Sequence, residues 1–208
     1  MEELQKPYQL HTLHTNPGEY SYYYARIENA DIKILRKAAV KEVVIPAWID
    51  VFPLDGVPDE GELRNQWLRK CKTCKSVFRA SQYSYFGRST SRKVKSSTKL
   101  KAVVRFLFIH FDLEKMINTN RAWARLDRAL KENNYDDCNT LINFCGYWNI
   151  KEMFPKSYYG EGTLYPFEDV MLNGPVNYDA VLTQMYGNYM TPPPEDQRAH
   201  HYVELITE

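Results

Sequence analysis

The chain has 208 residues, 44% of them apolar and 25% charged, with a formal net charge of +1. These ordinary values exclude a disordered, collagen-like or disulfide-stapled chain, and the length suits one domain with a sizeable core. The longest candidate for an apolar run, Val103–Phe111, is about half of the roughly 20 residues that a membrane helix needs, so the chain reads as soluble. The start, Met1-Glu-Glu-Leu-Gln-Lys6, has no basic segment leading into an apolar one, and a cytoplasmic location is the expectation.

In chain order, the first strand signal is Tyr22–Glu28, with Tyr22, Tyr24, Arg26 and Glu28 sharing one face. A stronger one is Val43–Phe52, in which Pro46 requires an edge or a bulge. Asp55-Gly56 then reads as a turn. From about Glu62 to Tyr83 the residues Leu63, Trp67, Cys71, Cys74 and Phe78 recur at spacings of three and four, which predicts a helix with one apolar stripe. A Ser/Thr-rich patch, Arg88–Thr98, predicts a loop, and Lys99–Phe111 a second helix. A third helix is expected at about Arg121–Glu132 and a short strand at Phe167–Leu172. A last helix is expected at Tyr178–Tyr189, with Asn177 as its N-cap. The sum is an α+β chain, with a sheet portion at 1–60 and a mainly helical portion at 61–208.

Charge is unevenly spread. Arg64–Arg105 carries thirteen basic residues and no acidic one, whereas Glu132 to the end carries twelve acidic residues against three basic. The basic stretch would attract anionic lipid, glycan or nucleic acid, or it is a solvated face that docks on the acidic tail. Nucleic acid ranks last, because aromatics are not interleaved with the basic residues in a stacking pattern.

Asp50 sits among large apolar residues in Trp48-Ile-Asp-Val-Phe52. A carboxylate there needs donors, a cation or a metal ion, so it reads either as part of a divalent-metal or general-base site or as a strand-end acid accepting backbone N–H bonds. Sixteen tyrosines supply apolar faces with hydroxyl handles, which suits choline-like and sugar ligands as well as ordinary cores.

The string Trp48-Ile-Asp-Val-Phe-Pro-Leu-Asp-Gly56, then Pro166-Phe-Glu-Asp169, then Tyr186-Gly-Asn-Tyr-Met190 with Pro192–Pro194, Arg198 and His200-His201, resembles the LicD family. The resemblance covers roughly Tyr20 to His201 and implies a partial nucleotidyltransferase-like fold of the DNA polymerase beta kind, with a mixed sheet and a helix-rich C-terminal part. It implies transfer of phosphocholine, or a related phospho-alcohol, from a CDP-linked donor to a cell-surface glycan or glycolipid such as lipopolysaccharide or teichoic acid. Mg²⁺ or Mn²⁺ is the implied cofactor, with Asp50 as the matching metal-site carboxylate. By the same resemblance Glu168 orients the acceptor hydroxyl or a basic partner, Arg26 meets a diphosphate, and Asp55, Tyr186, Tyr189, Arg198, His200 and His201 bind substrate. Asn188 stands where the family has Asp.

The family's Gly-containing turn and its Asp-x-Asp strand have no match here. The expectation is therefore a single LicD-like domain over 1–208, truncated at its N-terminus, with an incomplete metal site and weak or absent activity as this chain alone. One carboxylate does not hold Mg²⁺ firmly. The alternative is a non-catalytic module or partner subunit that docks on anionic glycan or on the inner face of the membrane through Arg64–Arg105. Cys71, Cys74, Cys138 and Cys145 could form a four-thiolate zinc site, but Cys71 and Cys74 share the apolar stripe of Trp67 and Phe78. Core thiols are the expectation, and zinc is not.

Overall fold

The computed structural model describes residues 4–12, 15, 22–37, 42–82, 103, 107, 111–195, 198 and 203–206. The expected loop at Arg88–Thr98 lies outside them, as does most of the expected helix Lys99–Phe111. Two compact units are present, one formed by 1–51, 71–127 and 200–208 and the other by 52–70 and 128–199.

The first unit holds a four-stranded antiparallel sheet of β1 (Tyr8–His11), β2 (Ala25–Lys37), β3 (Glu42–Val51) and β9 (Val203–Leu205). β2 is long enough to take two partners in series, β1 against Arg26–Asn29 and β9 against Ile34–Arg36, while β3 pairs along both stretches. The β2–β3 register shifts between Asn29 and Lys33, opposite Ala47 and Pro46. A proline has no N–H for the ladder, so the irregularity falls where the sequence requires one. Phe78 is fully buried in this unit and meets the Tyr23 ring edge-on at 5.9 Å, with Lys75 Nζ 4.7 Å from the same ring's centroid.

The second unit is built on an antiparallel sheet of β4 (Asp55–Val57), β5 (Thr140–Ile142) and β6 (Met153–Pro155). Val57, Leu141, Ile142 and Phe154 are its sealed centre. A hairpin of β7 (Thr163–Phe167) and β8 (Val170–Gly174) and the short helix α3 (Lys156–Tyr159) follow, then α4 (Tyr178–Tyr186). Asn177 caps α4 as expected, its Oδ1 accepting from the Ala180 N–H at 3.2 Å.

Two longer helices contribute to both units, α1 (Gly61–Ala80) and α2 (Thr119–Leu130). Trp67, Cys71 and Phe78 on α1 are buried, as the stripe predicts, whereas Leu63 at its first turn is exposed. Within the second unit the Trp67 indole donates to the Ala129 carbonyl at 2.8 Å and meets the Phe144 ring at 6.2 Å. Cys71, Cys138 and Cys145 are buried, and desolvation pushes the Cys138 thiol above its ordinary pKa.

Among the described residues the fold is therefore mixed α/β, with four α-helices. Every described strand pair is antiparallel, where the resemblance implies a mixed sheet; connections as short as that between β7 and β8 permit no other pairing. Two local expectations are corrected. Phe167–Leu172 is not one strand, since Glu168 and Asp169 form the turn of the β7–β8 hairpin and Glu168 takes the left-handed conformation at φ 52°. Asp55-Gly56 is not a turn but the buried start of β4. A Cβ on Gly56 would stand 2.9 Å from both the Asn133 carbonyl oxygen and Cys138 Sγ, so glycine serves close packing there.

Candidate functional site

Arg26 and Asp50 face each other directly across the β2–β3 ladder. A directly opposed pair on one sheet face brings a long side chain and a carboxylate into reach, and Arg26 Nε donates to Asp50 Oδ1 at 2.8 Å. The Arg26 side chain is nearly sealed from solvent and that of Asp50 is 29% exposed. The guanidinium lies 3.6 Å from the Tyr22 ring centroid, 4.8 Å from that of Trp48 and 5.8 Å from that of Tyr24. Strand alternation explains part of the assembly, since Trp48 precedes Asp50 by two on β3; the expected strand Tyr22–Glu28 is corrected, because β2 begins at Ala25 and Tyr22 and Tyr24 lie just ahead of it. Burial opposes the guanidinium's charge, but the neighbouring Tyr22, Asp50 and Tyr24 outweigh it and raise the Arg26 pKa. Burial is also the main reason that the Tyr24 phenol is held well above its usual range. The whole arrangement is a cation held in an aromatic box and neutralised by one carboxylate.

This geometry answers the problem that Asp50 poses in the sequence. Its charge is satisfied by Arg26 from within the chain. Among the described residues no three His, Cys, Asp or Glu side chains gather into a set able to hold a metal ion. On the same sheet, His11 Nε2 lies 3.5 Å from Glu28 Oε2.

The second unit carries a different cluster, which sequence reading missed. Glu152 is buried, and its carboxylate accepts from Asn143 Nδ2 at 2.6 Å and from the Trp148 backbone N–H at 2.8 Å. That carboxylate packs where a Cβ on Gly146 would stand. Gln184 on α4 donates to the carbonyls of Lys151 and Met153, both at 2.8 Å. These bonds fix the Asn143–Trp148 loop and the end of α4 to each other, and they bring three exposed aromatics together. Trp148 meets Tyr147 at 5.4 Å and Tyr186 at 5.7 Å, with both ring pairs at 89°. Lys151 Nζ sits 5.2 Å from the Trp148 ring centroid. The signal in the sequence was the adjacent pair Tyr147-Trp148 with Lys151 shortly after, which has no period and no flanking motif to single it out.

The remaining sequence candidates are dispersed over this unit. Tyr186 belongs to the aromatic cluster. The Tyr189 hydroxyl donates to Asp179 Oδ1 at 2.7 Å, and that bond is the main cause of a phenol pKa pushed up to about 12. Asn188 Nδ2 donates to Thr191 Oγ1 at 3.0 Å, and Arg198 Nε donates to the Pro193 carbonyl at 3.0 Å. Glu168 is exposed at the hairpin turn, and Asp55 is buried at the start of β4. His200 and His201 lie outside the described residues.

The class so defined is a mixed α/β chain of antiparallel sheets, with a neutralised cation–carboxylate pair in one unit and an exposed aromatic cluster in the other. No family model and no solved structure matches the chain. Lipopolysaccharide cholinephosphotransferase LicD of Haemophilus influenzae is 28% identical to it over 204 residues, 98% of this chain and 72% of that protein. That likeness supports assigning the chain to the LicD family. No described helix is long and apolar enough to cross a membrane.

Proposed function

We propose that the chain acts as a LicD-type phosphotransferase, moving phosphocholine or a related phospho-alcohol from a CDP-linked donor to a cell-surface glycan, either lipopolysaccharide or teichoic acid. The observation that carries the reading is the likeness to the Haemophilus enzyme, because it runs along 98% of the chain and so includes every segment named above. In this reading the chain is one LicD-like domain of the nucleotidyltransferase kind and works in the cytoplasm at the inner face of the membrane. An acceptor hydroxyl oxygen bonds to the phosphorus, the bond from phosphorus to the CMP oxygen breaks, and the hydroxyl proton passes to a base. Asp50 and Glu168 are the carboxylates assigned to the chemistry. Arg198, Tyr186, Tyr189, Asp55, His200 and His201 are assigned to substrate.

Arg26 has a positioning role here. It holds Asp50 in one orientation through the 2.8 Å bond to Oδ1, so Asp50 is engaged until Arg26 turns to another anion, for which the donor's diphosphate is a chemical match. This is the reason to expect slow turnover by this chain alone. The test is CMP release from CDP-choline by the purified chain with Mg²⁺, with and without lipopolysaccharide. Slow, acceptor-dependent release supports the reading. Release at ordinary enzyme rates refutes the restraint assigned to the Arg26–Asp50 pair, and no release in any condition refutes the transferase.

A second reading is a non-catalytic module that docks on anionic glycan or membrane. It draws on the same neutralised Asp50 and on the exposed basic side chains of α1, Arg69, Lys72 and Arg79. Binding to anionic vesicles that disappears as salt rises, with no affinity for CDP-choline, would favour it.

A further inference from the structure

Among the described residues two aromatic clusters lie beside a cation, and they differ in exposure. The box of Tyr22, Tyr24 and Trp48 already contains a cation, and its occupant Arg26 is 7% exposed. The cluster of Tyr147, Trp148 and Tyr186 is instead exposed, at 79%, 36% and 52%, with the Lys151 ammonium 5.2 Å from the Trp148 centroid. Three large aromatics left in water contribute none of the stabilisation that burial would give, and exposed together they mark an interaction surface. Here they are also held in place: a buried carboxylate, Glu152, grips the Trp148 backbone, and Gln184 anchors the helix that ends in Tyr186.

Trp148 makes T-shaped pairs with both tyrosines, and exposed aromatic faces attract a cation without needing hydrogen bonds from it. Lys151 shows the attraction at work, its ammonium resting 5.2 Å from the Trp148 centroid. A flat sugar ring needs one free indole face, and a plain apolar partner would gain nothing from the lysine. A zwitterion with a bulky cation and an adjacent phosphate uses both parts of the site.

We propose that Tyr147, Trp148 and Tyr186 form the subsite for the trimethylammonium of the phosphocholine group, and that Lys151 leaves the indole face to pair with its phosphate. This assignment rests on the transferase reading above and names the residues that select the head group. Quaternary ammonium lacks N–H donors, so only a site of ring faces distinguishes it from a primary ammonium, which prefers water or carboxylates.

The test uses the full chain and titrates it calorimetrically with phosphocholine, phosphoethanolamine and tetramethylammonium. Phosphocholine should bind more tightly than phosphoethanolamine, and Tyr147→Ala with Tyr186→Ala should weaken it by roughly tenfold. Lys151→Ala should weaken phosphocholine while leaving tetramethylammonium unchanged or tighter. These side chains are exposed, and an unchanged circular dichroism melt confirms that the variants fold. Trp148→Phe, which keeps a ring, should retain most of the affinity. Equal binding of phosphocholine by wild type and the double tyrosine variant overturns the subsite, as does no binding by the wild type. CDP-choline turnover is followed separately: turnover that ignores both tyrosines sinks the subsite and spares the transferase, whereas tight, tyrosine-dependent phosphocholine binding without turnover sinks the transferase and spares the subsite.

Discussion

Replacing Arg26 by alanine should be among the most damaging single changes in the sheet of the first unit. The guanidinium is lost from a 7% exposed position, together with its 2.8 Å bond to Asp50 and its contact with the Tyr22 ring at 3.6 Å. Breaking a fully buried ion pair from one side costs about 3–5 kcal/mol, because a charge is left behind without a partner. Asp50 is 29% exposed, so water recovers part of that, while loss of the cation–π contact adds about 1 kcal/mol. The sum is about 2–4 kcal/mol. Urea unfolding followed by circular dichroism measures it, and a double-mutant cycle with Asp50→Asn separates the pair from the packing. The Asp50→Asn change alone should cost less, and the double variant should be less unstable than the two single effects added together. Strict additivity, or an Arg26→Ala cost below about 0.5 kcal/mol, the scale of an ordinary surface change, would refute the pair as the reason an acid survives beside Trp48.

Other expectations follow from the second unit. Gly146→Ala should destabilise by about 1–3 kcal/mol in chemical denaturation, because the new Cβ meets the buried Glu152 carboxylate; Glu152→Ala, which vacates the space but strands Asn143 and the Trp148 N–H, should also destabilise and should raise amide exchange at Trp148. Trp67→Phe should cost about 0.5–1.5 kcal/mol, measured the same way, by removing the indole's hydrogen bond to the Ala129 carbonyl. In alkali, burial raises the Tyr159 phenol from 10.0 to about 12. The unfolded chain therefore loses this proton first, so the stability it contributes is intact below pH 10 and lost as pH rises toward 12. A stability profile across that window should flatten partly in Tyr159→Phe, and an unchanged slope would contradict the shift.

Much of the scaffold could be read from residue patterns, for reasons these residues make plain. The Trp67, Cys71 and Phe78 spacing reports burial directly, since only one helix face can be apolar and hidden. Pro46 announced an irregularity because a missing N–H must be accommodated somewhere, and Asn177 announced a helix start because its side chain supplies the acceptor that the first turn lacks. The sequence marks Asp50 as an acid in need of a partner, but Tyr22 and Tyr24, expected on one strand with Arg26, lie ahead of β2, which begins at Ala25. That Arg26 is the partner depends on β2–β3 register, which pairs residues 24 positions apart and leaves no local trace.

The misreadings share that origin. Asp-Gly favours turns locally, but tertiary packing against Asn133 and Cys138 draws Gly56 into a strand. Phe167–Leu172 has strand composition on both sides of a reversal, and only the left-handed Glu168 marks where the chain turns. The cluster around Trp148 joins a loop to the end of a helix almost forty residues later, so neither segment signals the other.

The claim that this chain transfers phosphocholine is tested most directly by the product itself. Purified lipopolysaccharide incubated with the chain, Mg²⁺ and CDP-choline bearing labelled methyl groups should acquire label slowly, in step with CMP release, and Asp50→Ala should abolish the incorporation. Label that never reaches the glycan, or reaches it equally well without Asp50, would contradict the account.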